Sequence, residues 1–557
     1  MIMKKQLLLL VVMLLPLVAS AHDIEVKNAD GKTIYYNWIK DHTELEVTYG
    51  GSSKPYYSGD GVYTGSLSVP ETVTYNGNKY PVTRIGDYAF YQSKNLTSVS
   101  LPQDLIDIGR SAFFGTARYM NATDGVFYVN KVACGYKGSV PSNTTLVIKA
   151  ETRAIADWAF ASSGITSLIL PNSIIHIGKA AFRSSALASI NVQSGNSVYD
   201  SRNNCNAVIE TESNKLVLGC KNTVIPEEIT EIGDYAFYES SITSITIHDG
   251  IKAIGNYAFY DCGFSSVYIP KNIIFIGKSA FDYNDLMESI SVDPENAVYD
   301  SRNNCNAIIE TASNTLLFGC NNTAIPNSVT TIGRRAFIGK NNIQSISIPN
   351  SVKNIDYMAF WGCSSLEQLS LPNSVEVIGD SAFYSCLKLN TVTFSNKLKS
   401  IGKYAFGECG LVSVTIPEGI TNLSYCMFFN CKKISSVVLP SSLVEYGGSV
   451  FYNCSAIKNV YNYSTVPVNA NYIFPSSISS ATLHVPEASI IDYYLAEPWG
   501  SFGSIVALKD EDPNPTKINN LILENNTNSV YYDLNGRKLN EPRKGINVIG
   551  GKKVVVK

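Results

Sequence analysis

Twelve cysteines, five histidines and two Asp-Ser-Arg-Asn-Asn runs are the residues of this chain with evident chemical potential. Six cysteines, Cys262, Cys363, Cys386, Cys409, Cys431 and Cys454, each stand three residues after a phenylalanine, and Cys426 is an extra near them. No C-x-x-C pair or histidine companion accompanies them, so the spacing does not describe a zinc site. Cys205 and Cys220, and likewise Cys305 and Cys320, flank short apolar segments that read as hairpins. If Ile209 faces Leu216, Cys205 falls opposite Cys220. Two cross-strand disulfides are then one reading, and reduced, buried thiols are the other. The runs Asp200–Asn204 and Asp300–Asn304 offer oxygen ligands for calcium. Each has a single carboxylate opposed by Arg202 or Arg302, which favours a side-chain-capped turn. His22, His42, His176, His248 and His484 sit beside no serine, cysteine or carboxylate in a catalytic arrangement. G-x-S-x-G, H-E-x-x-H and P-loop patterns do not occur. The expectation is therefore no catalytic residue, no metal and no cofactor.

The elements that must position these residues come from one hexapeptide. Ile-Gly-x-x-Ala-Phe recurs every 22 or 23 residues, clearly at Ile85–Phe90, Ile108–Phe113, Ile177–Phe182, Ile232–Phe237, Ile254–Phe259, Ile276–Phe281, Ile332–Phe337, Ile378–Phe383 and Ile401–Phe406. Degenerate forms end at Phe160, Phe360, Phe428 and Phe451, where the beat stops. Such a period predicts a solenoid whose coils bury their apolar faces on one another. In Ile85–Pro102 the alternation of Ser98, Val99, Ser100 and Leu101 reads as a strand, with Val99 and Leu101 inward and the serines outward. Pro102 ends it. The motif glycine is expected to adopt a backbone conformation that other residues resist.

The consensus IGxxAFxxCxxLxSIxLPxSVxxIG resembles the BspA-like leucine-rich repeat family of bacterial surface proteins, common in the Bacteroides group, over residues 82–460. The resemblance implies a right-handed, β-rich superhelix with short parallel strands. It also implies an exported, adhesin-like binding protein whose partners are host extracellular or matrix proteins, other cells or glycans. In that frame the six regular cysteines occupy the position where a small side chain packs or bonds inside the turn, which predicts a buried ladder of free thiols. A structural spacer or surface-layer component without a specific ligand is the alternative, and a glycan-processing enzyme a remote one.

The beat breaks three times, giving inserts near 121–148, 193–226 and 293–326. The last two are near copies and read as inserted β-hairpins, Ala207–Glu210 against Leu216–Gly219 in the first copy. Inserts in solenoids often mark a binding face. Outward strand positions are rich in hydroxyls: Ser98, Ser100, Ser244, Thr246, Ser345, Ser347, Thr391, Thr393, Ser413 and Thr415, with Tyr268 and Gln368 as departures. That face is a candidate for an extended peptide or glycan, or simply suits an uncovered sheet. The residue after the repeat Phe is often aromatic, as at Tyr91, Phe114, Tyr238, Tyr260, Trp361, Tyr384, Phe429 and Tyr452. Its regularity argues for stacking between coils.

Residues 1–21 read as a secretory signal peptide, with Lys4 and Lys5, an apolar run, and cleavage near Ala21. Residues 22–81 form an N-terminal β segment, 461–508 a C-terminal cap, 509–517 a polar linker, and 518–557 a small C-terminal β module resembling sorting tails, with a hairpin turn at Asn535-Gly536. The formal charge of −3 offers no basic stripe for nucleic acid. No apolar run after the leader is long enough for a transmembrane segment. The expected product is a monomer, secreted or on the outer cell surface.

Overall fold

The computed structural model describes residues 22–50, 63–470 and 472–515, and the backbone of strands Tyr531–Tyr532, Lys538–Leu539, Gly545–Ile549 and Lys552–Val556. The leader, its cleavage site and the Asn535-Gly536 turn lie outside the described residues. The chain divides into two compact units: Met1–Ala312 with Phe318–Asn322, and Ser313–Leu317 with Thr323–Lys557.

Each unit is a β-solenoid, and most repeats supply two short strands to two parallel ladders. The Ile of the hexapeptide forms the first ladder. Ile232, Ile254 and Ile276 are in register in unit 1, as are Ile332, Ile355, Ile378 and Ile401 in unit 2. The segment ending in Leu-Pro forms the second ladder, as in Ser266–Ile269 on Ser289–Val292 and Ser413–Thr415 on Ser436–Leu439. Between the ladders the repeat Phe rings stack, with centroids 4.9 Å apart for Phe337–Phe360, 5.1 Å for Phe360–Phe383 and 5.2 Å for Phe383–Phe406. These rings are buried. Each contributes roughly 1.5–3 kcal/mol by burial, and each stacked pair adds roughly 0.5–1.5 kcal/mol.

The motif glycine is explained by space and not by conformation. None of Gly109, Gly178, Gly255 or Gly402 has positive φ. A Cβ on Gly178, Gly255 or Gly402 would lie 2.4–2.5 Å from the backbone N of Asp157, Asp234 or Asp380 in the preceding coil. The left-handed positions are elsewhere, two residues before and two after the repeat Phe. Tyr88, Trp158, Tyr235 and Met358 have φ of 55–59°, and Gln92, Asp261 and Ser385 have φ of 52–57°.

Each of the first two inserts opens a new ladder. Gly125–Val129 runs antiparallel to Val132–Lys137, whose Ala133 pairs in parallel with Ile155 and that with Ile177. Tyr199–Asp200 pairs with Val208–Glu210, that strand with Lys215–Leu218, and Leu216 with Ile232. The N-terminal segment has the same construction: Ile24–Lys27, Thr33–Ile39 and Glu44–Thr48 form a meander whose last strand pairs in parallel with Asn78–Ile85. The inserts are thus core rungs, with Ala207, Val208, Ile209 and Leu216 fully buried.

The repeat extends further at both ends than the hexapeptide shows. Gly65–Ser68 pairs in parallel with Leu96–Ser100. At the other end Phe474 stacks on Phe451 at 5.5 Å, and Asn459–Asn462, Thr482–Val485 and Ser504–Ala507 continue the ladder. Tyr493, Trp499 and Phe502 then pack on or around Phe474 and close the coil. The segment read as a linker lies on this end. Leu508 N–H donates to Val485 O at 2.8 Å, and Tyr463 Oη donates to Pro513 O at 2.9 Å. The tail strands form a sheet in which Tyr531↔Leu539 and Ile546↔Val555 are antiparallel partners.

Candidate functional site

The cysteines are a buried structural ladder. Each thiol points at the carbonyl of the repeat Phe one coil back: Cys363 Sγ to Phe337 O at 3.2 Å, Cys386 to Phe360 at 3.3 Å, Cys409 to Phe383 at 3.1 Å, Cys431 to Phe406 at 3.0 Å, Cys454 to Phe428 at 3.1 Å and Cys262 to Phe237 at 3.0 Å. Asn284 stands at the same place and does more. Its amide donates to Phe259 O and Phe281 O, and its Oδ1 accepts from Cys262 N and Phe264 N. Three residues after Phe281, it could have been found by the same spacing as the cysteines. Burial pushes the Cys262 thiol up to about 12, and raises Cys386, Cys409 and Cys431 as well. Such thiols are poor nucleophiles and poor metal ligands.

Cys205, Cys220, Cys305 and Cys320, the candidate disulfide residues, are all buried. The register departs from the expected one at its end. Ile209 faces Leu216 as expected, but a bulge follows and Val208 faces Leu218. Cys205 is the C-cap of the one-turn 3-10 segment Arg202–Asn204 and precedes the paired strand. Cys220 Sγ instead points to Asn206 O at 3.2 Å. The Asp-Ser-Arg-Asn-Asn runs are capped turns. Asp200 accepts from Arg202 Nε at 2.9 Å, Nη2 at 2.6 Å and its backbone N at 3.0 Å, and Ser201 Oγ donates to Ala207 O. Asp300 and Arg302 repeat this at 2.7 and 2.5 Å. Among the described residues no group of three or more His, Cys, Asp or Glu side chains could hold a metal ion.

The clustered carboxylates of unit 1 converge on one cation. Arg84 pairs with Glu46 at 3.2 Å, Asp107 at 3.2 Å, Asp157 at 2.8 Å and Asp87 at 3.4 Å. Asp87 and Asp157 also accept from the backbone N of Arg110 and Lys179 in the following coils. Burial raises the Glu46 and Asp107 carboxyls against the pull of Arg84. Bound in this way, the group is an ionic clip between coils.

The outward strand positions place side chains where the alternation requires. Ser98, Ser100, Tyr268, Gln368, Thr391 and Ser413 are exposed on strands, and Thr393 and Thr415 are half-buried there. Neighbouring coils keep them in register: Ser66↔Ser98, Tyr268↔Ser291, Gln368↔Thr391, Ser413↔Ser436. Ser66, Ser189, Ser289 and Ser291 extend the row and were accessible to the same reasoning, since each alternates with a buried residue. Ser244, Thr246, Ser345 and Ser347 are exposed but lie on segments that form no ladder. Tyr268 Oη donates to Asp293 at 2.5 Å. The row ends under the chain itself. Val438, in register with Thr415, is buried, and Tyr461 stacks on His484 at 4.2 Å where Asp512 also lies.

The aromatic residues after the repeat Phe stack between coils, at 4.8 Å for Tyr238–Tyr260, 5.4 Å for Tyr91–Phe114 and 5.6 Å for Phe429–Tyr452. Where the first insert interrupts the row, Trp158 lies between the guanidiniums of Arg110 and Arg183, 4.1 and 4.3 Å from the ring centroid. Among the described residues no helix is long and apolar enough to cross a membrane.

No curated protein sequence is significantly similar to the chain. Among solved structures, a leucine rich cell surface protein from Faecalibacterium prausnitzii is 22% identical, with 79% of this chain and 95% of that one covered at a TM-score of 0.36. A leucine-rich repeat protein from Bacteroides ovatus is 20% identical over 85% and 77%, TM-score 0.29. The pneumococcal vaccine antigen PcpA is 16% identical over 88% and 99%, TM-score 0.37. The family model for the BspA type leucine rich repeat region matches residues 83–207, 208–313, 313–434 and 376–495. Those matches cover most of the chain, and the hexapeptide, the paired ladders and the stacked Phe rings fall within them: the chain belongs to the BspA-type leucine-rich repeat family.

Proposed function

We propose that this chain is an exported, non-enzymatic surface protein that holds a macromolecular partner on its outward strand face. The partner is a host extracellular or matrix protein, another cell, or a glycan. The observation that carries the reading is the set of exposed hydroxyls on the outward strands, in register between neighbouring coils within each ladder, above a core in which every regular cysteine is already bonded. Serine and threonine on adjacent strands offer donors and acceptors at a spacing of about 4.8 Å, which suits a ligand with repeated polar groups. The leader-like sequence at residues 1–21 supports export, and the burial of the regular thiols and the pairing of the Arg84 carboxylates support a non-enzymatic reading.

The test is saturable binding of the mature chain, from His22, to arrays of matrix proteins, glycans and whole cells. A variant carrying Ser98→Glu, Ser100→Glu, Thr391→Glu and Ser413→Glu, with an unchanged circular-dichroism spectrum and melting temperature, is expected to lose that binding. Absence of any saturable partner would favour a spacer role instead.

A further inference from the structure

The first ladder has an outward face of its own, and at the N-terminal end of unit 1 that face is charged. Tyr36, Val47, Ile85 and Ile108 point into the core. Their neighbours Asn37, Glu46, Arg84 and Asp107 therefore point outward. The register sets these four side by side: Asn37↔Glu46, Glu46↔Arg84 and Arg84↔Asp107. In unit 2 the corresponding positions carry Thr331, Asn354, Val377 and Ser400, so stacking the coils does not require a charged row. Taking such charges partly out of water costs free energy that apolar stacking avoids. Over the row lies a recess of about 560 Å³, lined also by Lys40, Tyr49, Tyr88 and Lys179. Its size falls in the range of roughly 300–1,000 Å³ of small-molecule sites.

The lining selects among occupants. Lys40, Arg84 and Lys179 are matched by Glu46, Asp87 and Asp107, so the recess carries no net formal charge and favours neither an anion nor a cation. Thr33–Ile39, Glu44–Thr48 and Asn78–Ile85 pair with one another, and Ile85 pairs with Ile108. From Asn37 across to Asp107 there is thus no free strand edge for a peptide main chain. Ile39 is the only aliphatic side chain of the lining, too little for an apolar ligand. What the recess offers is an amide, a carboxylate, a guanidinium and a carboxylate in sequence, beside two half-buried tyrosine rings. These groups hold one another in place. Asn37 Nδ2 donates to Glu46 at 3.3 Å, and Arg84 lies 3.2 Å from both Glu46 and Asp107. Burial, and then the Asp87 and Glu46 carboxylates, raise the Tyr49 hydroxyl, which places the phenol beside the same row. Asn37 Oδ1, Tyr49 Oη and Lys179 Nζ make no hydrogen bond to a described residue. Fixed donors and acceptors of both kinds suit hydroxyl groups, each of which donates and accepts at once. The tyrosine rings add apolar surface beside a polar edge.

We infer that the recess over Asn37, Glu46, Arg84 and Asp107 binds a short neutral saccharide. Its hydroxyls bridge Asn37, Tyr49 and the Arg84 carboxylates, and its carbon face lies along the tyrosine rings. The site stands on the first ladder and does not rest on the strand face proposed above, which belongs to the second.

The test is isothermal titration of the full mature chain with cello-, malto-, manno- and chitotetraose, and with two charged probes, tetragalacturonate and a sulfated heparin tetrasaccharide. At least one neutral tetrasaccharide should bind saturably and at least tenfold more tightly than either charged probe. Its affinity should change less than twofold between about 50 and about 500 mM salt, since no net ion pairing is involved. Asn37→Leu, which keeps the size of the side chain, and Tyr49→Ala should each weaken it at least tenfold. The strand-face variant carrying Ser98→Glu, Ser100→Glu, Thr391→Glu and Ser413→Glu should leave it unchanged. No binding of any neutral tetrasaccharide, tighter binding of a charged probe, or indifference to both Asn37→Leu and Tyr49→Ala overturns the inference. Loss of saccharide binding in the strand-face variant also overturns it, because the saccharide then belongs to the second ladder. Binding of matrix proteins or cells that is lost only in the strand-face variant leaves the proposed surface function standing whatever becomes of this recess.

Discussion

A thiol donating to a Phe carbonyl one coil away gives each regular cysteine a structural duty, and two predictions follow at the residue scale. Cys409→Ala removes one of the two donors to Phe383 O, leaving only Cys386 N–H at 3.3 Å, and opens a buried gap, and should cost about 1–2 kcal/mol in denaturant unfolding. Cys409→Ser keeps a donor and should cost less. Because burial raises Cys386, Cys409 and Cys431, these thiols should resist iodoacetamide at pH 8 in the folded protein and alkylate fully in denaturant. The motif glycine gives a matched pair. A Cβ on Gly447 meets Tyr425 N at 2.5 Å, whereas on Gly448 the nearest contact is the Tyr425 ring at 3.5 Å. Gly447→Ala should cost roughly 1–3 kcal/mol by overpacking, and Gly448→Ala should be close to neutral. Spacing made the cysteine ladder legible. It misread the glycine, because a close approach between coils and a left-handed backbone both select the same residue. The true left-handed positions carry tyrosine, tryptophan and serine, and so sent no signal.

The hairpins were legible as elements but not in detail, since a single bulge at Val208 is enough to shift one strand end against the other. That bulge shifts the register on the side of Cys205 and Cys220, and no periodicity predicts it. Equally hidden was the consequence for packing. Where the hairpin strand replaces a coil there is no repeat Phe, and Gly219 fits against Phe237 with no room for a Cβ. A cavity of about 100 Å³ remains beside Phe182, Leu218 and Phe237. In the third insert Phe318 stands where Leu218 stands, and its ring meets Phe281 at 5.7 Å. Leu218→Phe should therefore fill the cavity and raise the melting temperature by about one or two degrees. A fall would mean that the cavity is too narrow for the ring. The capped turn also sets a pH response. Burial works to raise the Asp200 carboxyl, but the Arg202 hydrogen bonds outweigh it and the net shift is downward. A carboxyl lowered in the folded state stabilises above its unfolded value of about 4 and loses that contribution as pH falls through the folded one. Hydrogen exchange at residues 198–211, corrected for intrinsic rates, should accelerate below about pH 4. Arg202→Ala should remove that dependence.

At the scale of the whole molecule a solenoid has no single core, so its stability is a sum of coils and their interfaces. The hexapeptide made this legible from the start, and the structure lengthens the array to Phe474 and Ala507. There the motif has degenerated while the ring stacking and the ladder persist. The coil at Gly65–Ser68 escaped notice for a related reason. Its Asn76 and Gly77, both at positive φ, turn a hairpin where other coils carry Ala-Phe. A linear array makes a prediction that a globule does not. Phe383 lies fully buried between Phe360 and Phe406, and Phe383→Ala removes both stacks, a loss of roughly 3–5 kcal/mol. In a globular domain that cost would lower protection everywhere. Here hydrogen exchange should accelerate in the coils from about Ile355 to Phe428 and leave Ile85–Val192 at wild-type protection. Uniform loss of protection along the chain would show that the coils unfold as one cooperative body and that the additive account is wrong.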